Sequence, residues 1–297
     1  DPINPNILVV ATSNGVYRST DLGDNFTLTF SSANLVSMEF HPLNSDIIYA
    51  GSKGSTSVYK SIDNGVTWQQ SGTGLPLSSD VSRACIAVTN DNSNVVYALF
   101  GNNDNGFYAL YKSSDEGNTW SQQSNSPNLL GWSTNGSDTG GQAWYDLALT
   151  VSPLDENIVF VGGVNCWKSN DSGVNWTLNT HWYGGGGANY MHADEHMLQY
   201  NILDNKVYSA NDGGLYVSAD HGNNWTDISD GLHITQFYRL GVSQTVQDLV
   251  IGGTQDNGTF LKNNLNWDAI IGGDGMECII DYSDEDIMYG SVYYGDI

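Results

Sequence analysis

The octapeptide Ser218-Ala-Asp220-His-Gly222-Asn-Asn-Trp225 decides how the chain is read, because its pattern, Ser-x-Asp-x-Gly-x-x-(Trp/Phe), occurs four more times. The other copies are Ser19-Thr-Asp21-Leu-Gly23-Asp-Asn-Phe26, Ser61-Ile-Asp63-Asn-Gly65-Val-Thr-Trp68, Ser113-Ser-Asp115-Glu-Gly117-Asn-Thr-Trp120 and Ser169-Asn-Asp171-Ser-Gly173-Val-Asn-Trp176. Five matches at four fixed positions exclude coincidence. The aspartates stand 42, 52, 56 and 49 residues apart, the length of one four-stranded sheet with its turns. The box has a mechanical reading: its Asp accepts backbone N–H groups, its Gly supplies a positive φ, and its aromatic ring turns inward between sheets.

Working outward, each box follows an aromatic strand such as Val58-Tyr-Lys60 or Cys166-Trp-Lys168. Before that lies a second apolar strand such as Ile47-Ile-Tyr-Ala50 or Ile158-Val-Phe-Val161, entered from an Asx-rich turn. A third apolar strand, such as Ala84-Cys-Ile-Ala-Val88, precedes the turn. The repeat therefore reads strand A, strand B, strand C, boxed turn, strand D.

This pattern resembles the Asp-box, or BNR-repeat, family, whose members include sialidases, xyloglucanase-type glycoside hydrolases and sortilin-type receptors. The resemblance implies an all-β fold, a β-propeller of four-stranded antiparallel blades. About six to seven blades are covered, at residues 1–30, 35–72, 81–124, 143–180, 194–230, 234–267 and 274–297. The sixth and seventh lack the box, and both chain ends fall inside a blade, so the sequence reads as part of a longer propeller. His192-Ala-Asp-Glu-His196, Asn211-Asp-Gly-Gly214 and Gly272-Gly-Asp-Gly275 resemble segments of secreted bacterial Asp-box proteins described as glycosyl-hydrolase-like or as surface proteins.

Composition limits the partners. With 33 acids against 9 bases the net charge is −24, which repels nucleic acid and anionic membrane surfaces and leaves cations or neutral ligands. Cys85, Cys166 and Cys278 show no CxxC spacing and read as buried small hydrophobes. No apolar run approaches the roughly 20 residues of a membrane-spanning helix. A secreted or cell-surface location, in a bacterium, is what the resemblance implies.

If strands A to D run outward from an axis, the boxes lie at one end of the blades and the D-to-A and B-to-C connections at the other. The second end would carry His192, Asp194, Glu195 and His196, then Asp212, Asp256 and Asp274, so that adjacent blades aim carboxylates at one sector. Asp194, Asp274 and Asp256 are the candidate catalytic acids, since glycoside hydrolysis needs two carboxyl groups roughly 5–10 Å apart. His192, Asp194 and His196 alternate with period two, so on an extended segment they could share a metal ion. Ca²⁺ or another divalent metal is the cofactor such acids could take, although no cofactor is required by the pattern. The competing explanation is that Asp212, Asp256 and Asp274 shape Gly-rich turns.

Trp144, Tyr145, Trp182, Tyr183 and Tyr190 lie in loops near these acids and could stack on sugar faces, with Asp212 beside them; packing at a propeller rim is the alternative. Only Arg18, Arg83 and Arg239 are available for the arginine triad a sialidase needs, and Arg18 occupies a strand position that is Lys in other repeats, which disfavours that activity. The expected function is an extracellular propeller that binds, or binds and hydrolyses, polysaccharide at an acidic face. The alternative is a non-catalytic surface adhesin that binds a protein.

Overall fold

Four of the boxed turns join the third and fourth strands of an antiparallel sheet, and the first joins the second and third strands of a three-stranded one. The computed structural model describes residues 1–31, 33–54, 57–264 and 266–296. Two compact units are present, one comprising Asp1–Asn211 and Leu215–Ile228, the other Asp212–Gly214 and Ser229–Ile297.

In the first unit, β1 (Leu8–Thr12), β2 (Gly15–Ser19) and β3 (Thr27–Phe30) form a three-stranded sheet. Four-stranded meanders follow: β4 (Asn34–Phe40), β5 (Ile48–Lys53), β6 (Val58–Ser61) and β7 (Gln69–Gln70); then β8 (Val81–Val88), β9 (Val96–Asn102), β10 (Phe107–Ser113) and β11 (Ser121–Ser124). These two touch through Lys53 and Arg83. Next come β12 (Ala148–Val151), β13 (Val159–Gly162), β14 (Cys166–Ser169) and β15 (Thr177–His181), with β16 (Asn189–Tyr190) added parallel to β15 as a fifth, outer strand. The last sheet is β17 (Glu195–Asn201), β18 (Lys206–Asn211), β19 (Gly214–Ser218) and β20 (Thr226–Asp227). The second unit holds β21 (Phe237–Val242), β22 (Val250–Thr254), β23 (Gly258–Asn263) and β24 (Asn266–Ile271), then the pair β25 (Cys278–Ile280) and β26 (Met288–Gly290). These sheets are propeller blades.

The core lies between adjacent blades, sheet face against sheet face. Tyr97, Leu99 and Leu110 meet Leu147, Leu149, Val159, Val161 and Trp167 in one such layer; Phe160 and Cys166 meet Leu198, Tyr200 and Tyr216 in the next. The first strands β4, β8, β12 and β17 line a cavity of about 390 Å³, so the strand A positions face one another as the outward A-to-D order requires.

The box geometry recurs from copy to copy. The Ser hydroxyl donates to the Asp carboxylate (2.8 Å for Ser169 to Asp171) and accepts the Gly N–H (2.9 Å for Gly173). The Asp accepts the N–H four residues on, at 2.8 Å from Asn175 and 2.9 Å from Asn224. The residue before the Gly also has positive φ, 58° at Asn64 and Glu116, 62° at Ser172 and 56° at His221. Box tryptophans pack toward the preceding blade: Trp120, Trp176 and Trp225 donate Nε1–H to Ser71, Ser124 and Asn179 there. Phe26 is the exception, 43 % exposed rather than turned inward.

A second link joins neighbouring blades. A cation on strand C reaches the positive-φ residue of the next box: Arg18 Nε donates to Asn64 O (2.8 Å), Lys60 Nζ to Glu116 O (2.6 Å) and Lys168 Nζ to His221 O (2.6 Å). Lys112 Nζ donates instead to Ser172 Oγ (3.0 Å) and to Glu156 (2.9 Å). In β19 the position is Val217, and the sequence beyond it has no box.

Candidate functional site

Backbone contacts fix which loops share an end. Box residues Asn64, Glu116 and Ser172 donate N–H groups to Asp46, Asn94 and Asn157 in the A-to-B turns of their own blades. At the other end, Ala143 N donates to Asn105 O and Glu195 N to Gly163 O, joining loops that enter strand A to B-to-C loops of the preceding blade.

At that second end two successive strand A entries meet. Residues 142–146 fold into a turn in which Tyr145 N and Asp146 N both donate to Gln142 O. This turn buries Asp146 completely, just ahead of β12. Asp194, just ahead of β17, is hydrogen-bonded to Asp146 and also accepts Gln142 Nε2 at 2.8 Å. Burial, and then the Asp194 carboxyl against it, push the Asp146 pKa well up from the ordinary carboxylate range. Arg83 interacts electrostatically with Asp146, but its Nη1 donates to Ala143 O (3.0 Å) and Tyr145 O (3.2 Å).

Glu195, the next residue after Asp194, opens β17. It is buried, accepts hydrogen bonds from the Ser209 hydroxyl and, at 3.5 Å, from Asn211 Nδ2. Burial lifts its pKa to about 8; the hydrogen bonds oppose the shift, and the neighbouring Asp146 and Asp194 add to it. Trp144, in the same turn as Asp146, is 56 % exposed, with its ring 5.4 Å from that of Tyr145. Tyr145 meets the exposed His196 ring edge-on at 4.8 Å.

The extended alternation expected for His192, Asp194 and His196 is interrupted. Asp194 has φ 68° and β17 begins only at Glu195, so the three residues do not lie along one strand. His192 turns Nδ1 to Ala193 O at 3.3 Å. Among the described residues no group of three or more His, Cys, Asp or Glu is gathered to hold a metal ion.

The aromatic residues divide into two sets. Trp144 and Tyr145 stand at the inner strand A, beside the acids. Trp182 and Tyr183 follow β15; Trp182 stacks on His181, Tyr183 meets it edge-on, and the Trp182 and Tyr183 rings are 4.6 Å apart, while Tyr190 belongs to the outer strand β16. His181 Nε2 lies 3.4 Å from Trp132 O, which gathers Trp132 into the outer set.

In the second unit Asp274 accepts the backbone N–H of Asp256 at 2.7 Å, and Asn257 Nδ2 donates to Asp212 O at 3.1 Å. Asp256 has φ 60°. Asp274 therefore holds the turn at Asp256, and Asp212 supplies its backbone carbonyl to the same loop. Arg239 pairs with Glu277 at 3.4 Å on the surface of this unit.

Asp146 is the residue sequence reasoning passed over. Its signal was an acid standing ahead of strand A in the fourth repeat, as Asp194 stands ahead of strand A in the fifth.

Among solved structures, the chain is similar to an ancestral GH74 enzyme, at 16% identity over 93% of this chain and 38% of that chain, with a TM-score of 0.55. It is similar to the GH74 xyloglucanase from Xanthomonas campestris at 14% identity over 99% of this chain and 50% of that one, also with a TM-score of 0.55. A chain of a nidogen/laminin complex matches at 9% identity over 86% and 88% of the two chains, with a TM-score of 0.53. At such identities the likeness carries the fold alone, and that fold is a β-propeller. The chain spans about two fifths to a half of the length of these two GH74 structures. No family model matches the chain, and no curated protein matches it in sequence. No helix is long and apolar enough to cross a membrane, among the described residues.

Proposed function

We propose that the chain is a glycan-binding β-propeller of the cell surface or secreted space, and that it receives polysaccharide at the end of the first unit carrying Asp146, Asp194, Trp144, Tyr145 and His196. The observation that carries this reading is the juxtaposition of a hydrogen-bonded carboxyl pair with the exposed Trp144 ring and the Tyr145–His196 edge contact. An aromatic face stacks on a pyranose ring, and carboxyl groups beside it exchange hydrogen bonds with sugar hydroxyls. The net charge of −24 favours a neutral glycan over an acidic one.

Binding suits this geometry better than hydrolysis. Acid–base cleavage uses two carboxyls roughly 5–10 Å apart, whereas Asp146 and Asp194 are hydrogen-bonded to each other and Glu195 is shut away from solvent. A glycan array and polysaccharide pull-down, run in EDTA, test the proposal. Trp144→Ala should weaken binding about tenfold while Trp182→Ala has a smaller effect. Absence of any glycan binding by the parent chain would refute it.

A protein ligand is a second reading, favoured by Phe237 and Trp267 in the second unit. Their rings lie 5.7 Å apart, both exposed, and wall a cavity of about 440 Å³. Capture of a protein partner that is lost in Trp267→Ala and kept in Trp144→Ala would favour this alternative.

A further inference from the structure

We propose that the channel walled by the first strands of four blades binds a small organic cation, an alkylammonium ion whose charged head pairs with the Glu39 carboxylate. The site lies inside the first unit and does not depend on glycan binding at its end. Two cavities, of about 390 and 200 Å³, meet there, and both are lined by Met38, Glu39, Leu149 and Gln199. The larger reaches His41, Pro42 and Pro153 in the A-to-B turns, and the smaller reaches Arg83 and His196 toward the opposite end. Sheet register puts Glu39, Ala87, Thr150 and Gln199 at equivalent positions of β4, β8, β12 and β17, each paired with an aromatic residue of its second strand: Tyr49, Tyr97, Phe160 and Tyr208. All four line the larger cavity, and Glu39 alone among them is ionisable. Three repeats build this strand position without a charge, so the blade itself does not require the carboxyl.

Nothing in the chain answers that carboxyl. Among the described residues none donates a hydrogen bond to it or forms an ion pair with it, and burial alone raises its pKa to about 7. Ser37, two residues earlier on β4, is by contrast committed: its hydroxyl donates to Cys85 Sγ at 3.7 Å and accepts the Ile86 N–H at 3.0 Å, tying β4 to β8. A carboxylate short of partners beside an apolar wall is costly, and an ammonium ion supplies both the opposite charge and the donors. The wall selects the rest of the ligand. Phe40, Val88, Val151, Pro153 and Ile202 line the larger cavity, so the favoured cation carries a hydrocarbon body rather than a hydration shell. Divalent metal ions need several oxygen ligands, whereas Glu39 is a single carboxyl here, with only the neutral oxygens of Thr150 and Gln199 at its level. A volume of 390 Å³ falls within the range of about 300–1,000 Å³ typical of small-molecule sites, and a net charge of −24 concentrates cations around the chain.

The probe is n-hexylammonium chloride, with 1-hexanol and hexanoate as its neutral and anionic counterparts, titrated into the full chain carrying ¹³C-methyl methionine. Met38 lines both cavities, whereas Met276 and Met288 belong to the second unit. Hexylammonium should bind saturably, shift the Met38 methyl resonance, assigned through Met38→Leu, and leave that of Met288 in place. Hexanol should bind about tenfold more weakly and hexanoate not at all, and Glu39→Gln should reduce hexylammonium to the affinity of hexanol. Because the ligand selects the ionised carboxylate, affinity should rise about tenfold from pH 6 to pH 8. The other titratable groups around the channel are His41 at the end of β4, Tyr49 on β5, Arg83 and Cys85 on β8, and His196 and Tyr200 on β17. A protonated histidine would repel the ligand in the same pH direction, so Glu39→Gln separates the two causes: it should abolish the dependence. Near-ultraviolet circular dichroism confirms that this variant folds; should it not, the preference for hexylammonium over hexanol and the Met38 shift in the parent chain decide. No saturable binding, an unmoved Met38 methyl, equal affinity for hexylammonium and hexanol, or undiminished or still pH-dependent binding by folded Glu39→Gln overturns the proposal and leaves the glycan reading standing.

Discussion

Replacing Lys168 by Met removes the ammonium that joins one blade to the next box while keeping most of the aliphatic stem. Lys168 Nζ donates to His221 O at 2.6 Å and lies 5.6 Å from the centre of the Phe160 ring. A hydrogen bond from a charged donor contributes about 1.5–3 kcal/mol, and a partly desolvated cation–π contact about 0.5–2 kcal/mol. Against this, burial pushes the Lys168 pKa down, with Asp220 opposing, so the folded state bears a desolvation cost that Met does not. The net expectation is a loss of about 1–3 kcal/mol. Urea unfolding followed by tryptophan fluorescence measures it, since Trp167 and Trp225 flank this junction, and an unchanged denaturant slope shows that the compared states are the same. Lys206→Met is the control: Lys206 pairs with Asp204 at 3.5 Å in solvent, and its loss should cost no more than about 0.5 kcal/mol. Lys168→Arg should recover much of the deficit, because Arg18 makes the same link to Asn64. If Lys168→Met stays within about 0.5 kcal/mol of the parent, or Lys206→Met loses as much, the link carries no energy and the reasoning fails.

Other outcomes follow from the same structure. Trp176→Ala should cost about 3–5 kcal/mol in chemical unfolding without selectively abolishing glycan binding, because the ring packs between blades at the end opposite the acids. Glu195 holds in the folded state a proton that the unfolded chain gives up, so its contribution to stability falls as pH rises from about 4.5 to about 8. Glu195→Gln should flatten that part of the profile, as thermal melts across the range would show. The box aspartates act in the opposite direction: hydrogen bonds from Asn224 and Ser218 hold Asp220 at about 2, so the stability it lends is present above the ordinary carboxylate range and is lost as pH falls from about 3.8 to about 2. Asp220→Asn should reduce the loss at that acidic end.

How far the sequence was legible depends on whether a residue acts within its own repeat. Ser, Asp, Gly and the aromatic ring of each box act locally, so their spacing was enough to find the turns and count the strands. Residues that act across blades left weaker traces. The Lys in Cys-Trp-Lys looks like any solvated strand cation until its partner is seen 53 residues later. Asp146 looks like a loop acid until the next blade sets Asp194 against it. Trp182 and Tyr183 lie only about ten residues ahead of the acids in sequence, but β16 carries the chain along the outer edge of its blade before it returns to the inner strand. The period-two reading of His192, Asp194 and His196 assumed extended backbone, which the left-handed turn at Asp194 breaks.

The forward reach of these cations has a bearing on biosynthesis. Arg18, Lys60, Lys112 and Lys168 precede their acceptors by 46, 56, 60 and 53 residues. At roughly 5–20 residues per second, a ribosome releases each acceptor only about 2–12 s after its cation. Each of these four blades, freshly made, thus waits with a charged tip that its own residues do not cap, and closes only when its successor arrives. Synthesis order is in this way written into the side chains, and Val217 marks where that relay of charge stops.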